Sequence, residues 1–245
     1  MPGTGQTTKG TKLKAFLLAA GLGTRLRPLT EHTPKCLVPI NGKPLMEYWF
    51  ELFRKYGVDE VLVNTHYLRD QVGAYIKKHN ASGELPKVKA VYEAELLGSG
   101  GTVKMNEDFV DGEEDFLICY ADNLTSANLE KLCKLHKEKQ CILTMGLFRA
   151  SNPKECGIAE LDENGRIVSF IEKPEVPKSN LSNGGIYVVS REIFSYIPEG
   201  FSDFGKDVLP KLVGKMYGSE IEEYLLDIGT PEKYQKAQID AKNLF

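Results

Sequence analysis

No stretch of this 245-residue chain approaches the roughly 20 consecutive apolar residues of a spanning helix, and its first twelve residues are polar with no apolar h-region. The sequence therefore predicts neither a membrane span nor a secretory leader, and Met1 to Lys12 reads as a disordered tail. Cysteine is sparse: Cys36, Cys119, Cys133, Cys141 and Cys156 are odd in number and show no CxxC pairing. That excludes a disulfide framework and a zinc ribbon, and fits reduced thiols in the cytoplasm. The four histidines, His32, His66, His79 and His136, lie apart without metal-ligand spacing. Basic excess is also missing, since the formal net charge is -3. No broad positive field draws nucleic acid, and any phosphate must be held by a few placed groups. Walker A (GxxxxGK[ST]), dinucleotide (GxGxxG) and nucleophile-elbow (GxSxG) patterns are all absent. Asn-x-Ser/Thr triplets at Asn80, Asn123 and Asn180 carry no meaning without a secretory signal.

What is present alternates regularly. Lys14 to Ala20 is a short apolar run, a buried strand that enters the glycine loop Gly21-Leu22-Gly23-Thr24-Arg25. Residues 44 to 56 carry apolar side chains at helical spacing, with Pro44 in the first turn and Gly57 as a stop. Strands are expected at 60–65, 88–93, 116–120 and 141–148, and helices at 68–78 and 129–139. That order predicts an α/β fold with a mixed, mostly parallel sheet flanked by helices. Beyond about residue 150 the pattern becomes β-rich. A hairpin is expected at 157–161 and 166–171 around Asn164-Gly165, then a strand at 185–189 and helices at 204–213 and 231–242. The expected organisation is one domain over residues 13–245, with a nucleotide half to about 150 and a smaller β-rich insertion after it. No hexapeptide repeat occurs in these residues, so no β-helix is expected within them.

Glycines behind a strand let backbone amides approach a phosphate, and Arg25, Arg27 and Lys35 around one such loop suit a polyphosphate. Asp122 follows a buried apolar strand, where an acid has no packing role and where α/β folds place ligands.

These residues resemble the sugar nucleotidyltransferase signature. The resemblance is carried by Leu18-Ala19-Ala20-Gly21-Leu22-Gly23-Thr24-Arg25-Leu26-Arg27-Pro28-Leu29-Thr30 followed by Pro34-Lys35. It continues at Leu97 to Gly101, Asp122, Glu172-Lys173-Pro174, Asn183 to Tyr187 and Asp227 to Pro231. It implies a Rossmann-like fold and the joining of a nucleoside triphosphate to a sugar 1-phosphate with loss of pyrophosphate, for nucleotide-sugar and polysaccharide synthesis. Small molecules are then the partners, with no nucleic acid and no membrane; a homo-oligomer is left open.

The resemblance further implies magnesium held by Asp122 and Asp227. Leu18, Ala19, Ala20, Gly21, Gly23, Thr24, Arg25, Gly98 and Ser99 would meet the nucleotide, with Glu93 near the base. Arg25, Lys35 and Lys173 would neutralise phosphates during the reaction. Gly157, Glu172, Lys173 and Asn183 would shape the sugar site. Ala121 departs from the glycine common before the acid. The run Glu93 to Gly101 is more similar to mannose- and heptose-phosphate guanylyltransferases than to thymidylyltransferases, so GTP is the expected nucleotide, with uridine, thymidine or cytidine triphosphate as alternatives. A non-catalytic nucleotide-sugar sensor on the same fold is the alternative of another class.

Overall fold

The computed structural model describes residues 13–244; the expected tail at 1–12 lies outside the described residues. The strands are β1 (Leu13–Leu18), β2 (Pro39–Ile40), β3 (Lys43–Pro44), β4 (Val58–Thr65), β5 (Lys87–Tyr92), β6 (Asp115–Tyr120) and β7 (Asn123–Thr125). They continue as β8 (Leu143–Arg149), β9 (Gly157–Leu161), β10 (Ile167–Glu172), β11 (Leu181–Ser190), β12 (Met216–Glu220) and β13 (Leu225–Asp227). The helices are α1 (Leu45–Lys55), α2 (Arg69–Ser82), α3 (Gly98–Met105), α4 (Leu129–Lys139) and α5 (Pro231–Leu244).

The central sheet runs β10-β9-β11-β6-β1-β4-β5, with β8 pairing β11 and β12 pairing β8. β1 is parallel to both β4 and β6, and β4 is parallel to β5. These central strands are covered on both faces, which explains why Phe16-Leu17 and Phe116 to Cys119 are continuous apolar runs rather than alternating ones. β11 lies antiparallel to β6 and β8, so the second half of the chain extends the same sheet. The architecture is a mixed, mostly parallel sheet flanked by helices.

α1 buries Leu45, Met46, Tyr48, Trp49, Phe50, Leu52 and Phe53, the face its spacing predicts. Gly57 (φ 70) then ends it in the left-handed conformation. Trp49 packs in the core, and its indole N–H donates to the Asn123 carbonyl at 2.9 Å, tying α1 to β7. The hairpin forms as expected: Gly165 takes φ 78, and Asp162 Oδ1 accepts from the Asn164 and Arg166 amides at 2.9 Å each.

One expectation is corrected and one element was not anticipated. The helix expected at 204–213 is a π-helical turn, Phe204–Val208, followed by a 3-10 turn, Leu209–Leu212. Pro210 has no amide hydrogen to continue an α-helix there. The glycine-rich Gly98 to Gly101, assigned to no element from the sequence, opens α3.

Candidate active site

The site forms where β1 and β6 end side by side. The Ala121 amide donates to the Leu18 carbonyl at 3.0 Å, carrying the pairing one residue past β6 and placing Asp122 beside the glycine loop. Asp227 arrives through a second pairing. β13 lies antiparallel to β7, with Asp227 opposite Asn123, and the Ile228 amide donates to the Asp122 carbonyl at 2.8 Å. Two acids 105 positions apart in sequence order, Asp122 and Asp227, are thereby neighbours.

Lys35 links them. Its Nζ donates to Asp122 Oδ2 at 2.8 Å and lies 3.5 Å from Asp227 Oδ1. Lys233 Nζ donates to the other Asp227 oxygen at 3.0 Å. Burial opposes the charge on Lys35, but the Asp122 and Asp227 carboxylates outweigh it and hold the ammonium above its ordinary pKa. Burial likewise opposes ionisation of Asp122, yet Lys35, with a smaller part from Arg25, holds that carboxyl below its usual range. The Arg25 guanidinium lies against Gly229: a Cβ there would sit 3.2 Å from its Nη2.

Cavities of about 310 Å³ each flank the acids. The first is lined by Leu18, Ala19, Ala20 and Gly21, by Lys35 and Asp122, and across from them by Glu93, Gly98 and Ser99. The second is lined by Arg25, Lys173 and Asp227, together with Lys154, Cys156 and Lys233. Gly23 and Thr24 shape the turn between: Gly23 takes φ 63 and its carbonyl accepts from Thr30 Oγ1 at 2.7 Å, while Thr24 opens a 3-10 turn through Leu26.

Glu93 is 5% exposed, and its carboxylate is occupied by the protein. Oε1 accepts from Asn64 Nδ2 at 2.9 Å and Thr102 Oγ1 at 2.5 Å, and Oε2 from the Leu97 amide at 3.2 Å. It fixes the turn that leads into α3. Gly98 takes φ 75, and a Cβ on it would meet the Ser202 carbonyl at 2.4 Å. That carbonyl accepts from the Gly100 and Gly101 amides at 2.9 and 3.2 Å, and Ser99 Oγ accepts from the Phe204 amide at 2.8 Å. The 199–204 segment is thus bound to the start of α3.

On the β9–β10 side, Gly157 stands opposite Glu172, and a Cβ on Gly157 would lie 2.6 Å from Glu172 Oε2. The glycine makes room for that carboxylate. Burial raises the pKa of Glu172; Lys173, whose Nζ is 3.9 Å from Oε1, pulls the other way. Lys173 itself takes φ 48 and is largely exposed. Asn183 donates through Nδ2 to Tyr187 Oη at 2.7 Å and accepts the Gly185 amide at 3.0 Å, so both ends of its amide are engaged within β11. Gly185 (φ 66) closes against the Tyr120 ring, where a Cβ would come within 2.9 Å.

Residues that the sequence reading passed over also belong here. Asn64 accepts the Ala19 amide at 2.7 Å; a polar residue closing the apolar run Val61-Leu62-Val63 was the available signal. Phe201 and Asp203 line the first cavity and Lys233 the second, and nothing in their sequence neighbourhoods announces it.

A family model described as Nucleotidyl transferase matches residues 14–243. The chain is 35% identical to a UTP--glucose-1-phosphate uridylyltransferase from Synechocystis sp. over 92% of its length and 62% of that protein's. It is 34% identical to a D-glycero-alpha-D-manno-heptose 1-phosphate guanylyltransferase from Campylobacter jejuni, covering 91% of this chain and 97% of that one. Against several other relatives it spans between 52% and 64% of the partner's length. The crystal structure of HddC from Yersinia pseudotuberculosis superposes with a TM-score of 0.78 at 26% identity, over 94% of this chain and 99% of that one. On a match that runs through the glycine loop, both acids and the opening turns of α5, the chain belongs to the nucleotidyl transferase family.

Proposed function

We propose that this chain transfers a nucleoside monophosphate from a nucleoside triphosphate to a sugar 1-phosphate, releasing pyrophosphate. The observation that carries the reading is the pair Asp122 and Asp227, linked by Lys35 and flanked by two cavities. The first cavity takes the nucleoside, and the second, with Arg25, Lys173 and Lys233 on its wall, takes phosphate groups. The sugar phosphate oxygen attacks the α-phosphorus as the bond to the pyrophosphate oxygen breaks, with no covalent enzyme intermediate. Two anions must approach, so positioning and positive charge supply most of the rate. Lys35 neutralises the α-phosphate, Arg25 the departing pyrophosphate and Lys173 the incoming sugar phosphate. Glu172 accepts hydrogen bonds from sugar hydroxyls, and Gly157 and Asn183 keep that carboxylate and β11 in place.

The two acids also fit magnesium. They offer hard oxygen donors converging on one positive charge, that of Lys35. Among the described residues no group of three His, Cys, Asp or Glu side chains could hold a metal ion alone. A magnesium ion on Asp122 and Asp227 would complete its shell with phosphate oxygens and water, the usual arrangement for that ion. Bound there, it would supply further positive charge to the phosphates.

GTP with a mannose- or heptose-type 1-phosphate is the favoured pair, supported by the Glu93 to Gly101 run and by the full-length guanylyltransferase relative from Campylobacter jejuni. The uridylyltransferase from Synechocystis supports UTP as the second reading. No helix among the described residues is long and apolar enough to cross a membrane, and the five cysteines are free thiols, which suits a reducing cytoplasm. Retention of Arg25, Lys35, Asp122, Lys173 and Asp227 together favours an enzyme over a sensor. Pyrophosphate release should be assayed for each common triphosphate against a panel of sugar 1-phosphates. Asp227→Ala should lower magnesium-dependent turnover by about a thousandfold, with an unchanged circular dichroism spectrum. Near-normal turnover of that variant would overturn the reading.

A further inference from the structure

Away from both cavities, three elements bring an acid, an imidazole and a thiol into one line. His136, in the last turn of α4, places Nε2 3.3 Å from Asp115 Oδ1 at the start of β6. Its Nδ1 lies 3.5 Å from Cys141 Sγ and 3.1 Å from Thr144 Oγ1 in β8, and that hydroxyl is 3.3 Å from the same sulfur. The chain reaches this arrangement through Gln140, whose left-handed φ of 47 ends α4 and folds Cys141 back over the turn that carries His136. A buried imidazole needs partners for both nitrogens, and Asp115 and Thr144 alone would satisfy them. The thiol is surplus to that need. Cys141 is half-buried and opens onto a cavity of about 430 Å³.

The charged groups facing it come from several elements. Glu114 and Asp115 stand at the start of β6, His136 and Lys137 on α4, and Glu192 on the turn after β11. Three carboxylates against one lysine and the imidazole make the cavity unwelcoming to anions. Among the described residues no group of three His, Cys, Asp or Glu side chains could hold a metal ion.

We propose that Cys141 is a reactive thiol and that this cavity is a site of thiol–disulfide exchange with small neutral or cationic disulfides. His136 takes the thiol proton. The thiolate attacks one sulfur of the disulfide, forming the Cys141 mixed disulfide as the original sulfur–sulfur bond breaks. The leaving sulfur carries away the electron pair and receives the proton from the imidazolium, so one thiol and one disulfide give one disulfide and one thiol. Asp115 acts as a positioning residue that holds the charged ring.

The acid–base balance agrees. Burial pushes the Cys141 thiol up, but His136 and the Thr144 hydroxyl outweigh it and hold it below its ordinary value. Burial also opposes the charge on His136, yet Asp115 and Cys141 raise it to about 9. Burial drives other thiols the opposite way, Cys36 to about 12 and Cys133 to about 11, with Cys156 also raised.

The full chain should be treated at low salt with cystamine, a dication, with neutral dithiodipyridine and with an aromatic disulfide dicarboxylate, and the modified peptides mapped by mass. Cys141 should be labelled first, about tenfold faster than Cys133 or Cys156. Cystamine should outpace the dicarboxylate there, by a margin that shrinks in high salt. The labelling rate should stay high down to neutral pH, and Asp115→Asn should move that pH profile upward while Cys141→Ser removes the label. Equal labelling of Cys156 or Cys133, or a wild-type rate that rises only around the ordinary thiol value of about 8.5, would overturn the proposal, and both are read on the wild-type chain whatever the variants do. An unchanged profile in folded Asp115→Asn would remove the relay.

Discussion

Gly21 and Gly23 stand two positions apart in one loop and are glycine for different reasons. Gly23 takes φ 63, and a Cβ there would lie 3.0 Å from Thr30 Cγ2, so the turn itself requires it. Gly21 has no positive φ, and a Cβ would meet nothing within 4 Å. The fold makes no demand for glycine at 21; the open space in front of it is the first cavity. Gly23→Ala should therefore lose about 1–2 kcal/mol of stability. Gly21→Ala should keep its stability or gain up to about 1 kcal/mol through the restricted unfolded chain. Its methyl group would still obstruct a bound triphosphate and raise the triphosphate KM about tenfold or more. Thermal melts and kinetics on the two variants check this, and a Gly21→Ala protein with wild-type KM would place the nucleotide elsewhere. The sequence could name the loop but not divide these roles, because a bare Gly-x-Gly reads the same whether it turns a chain or admits a ligand. Ala121 is the converse case: its side chain is buried in a core cluster, although the residue also borders the first cavity beside Asp122.

At the scale of elements, α3 was hidden by its own composition. Gly98, Gly100 and Gly101 are poor helix formers, and local propensity favours a loop there. Packing decides otherwise. Cβ atoms on those residues would meet the Ser202 carbonyl at 2.4 Å, Ser202 Oγ at 2.5 Å and the Gly200 carbonyl at 2.4 Å. The glycines let the 199–203 segment lie directly on the helix, and no local pattern announces a partner 100 residues away. That contact holds Phe201, 69% exposed, at the wall of the first cavity. An aromatic ring there can stack on a nucleobase, an interaction worth about 1–3 kcal/mol. Phe201→Ala should raise the triphosphate KM between about fivefold and a hundredfold, with little change for the sugar phosphate. So exposed a side chain contributes little to folding, and stability should shift by no more than about 0.5 kcal/mol. An unaltered triphosphate KM would assign Phe201 to the surface alone.

For the whole molecule, the order of elements was legible while their neighbours in space were not. Apolar runs announced β1, β4 and β6, and the amphipathic spacing announced α1, because those signals are local. The placement of β11 between β6 and β8 depends on pairing with β6 across more than sixty residues and with β8 across more than thirty, which no local window of sequence contains. The same long-range pairing brings Asp227 to Asp122, so the site was legible as motifs and not as a geometry. This topology has an energetic consequence. Ile186 and Val188 of β11 sit in one core cluster with Leu117, Cys119 and Trp49 from the first half. Residues 13–150 alone would bare the β6 edge and open that cluster, leaving a long unpaired strand prone to association. We therefore expect one cooperative unfolding transition, with Trp49 fluorescence and far-ultraviolet circular dichroism superposing in urea. Trp49 is the single tryptophan and reports on the core cluster that β11 completes, whereas circular dichroism averages the whole chain. A fluorescence midpoint displaced from the dichroism midpoint, or a soluble and cooperatively folding fragment of residues 13–150, would show that the halves are independent domains. Superposed curves and an aggregating fragment would show that residues 13–150 need the rest of the chain to fold, and that the two acids can meet only in the complete sheet.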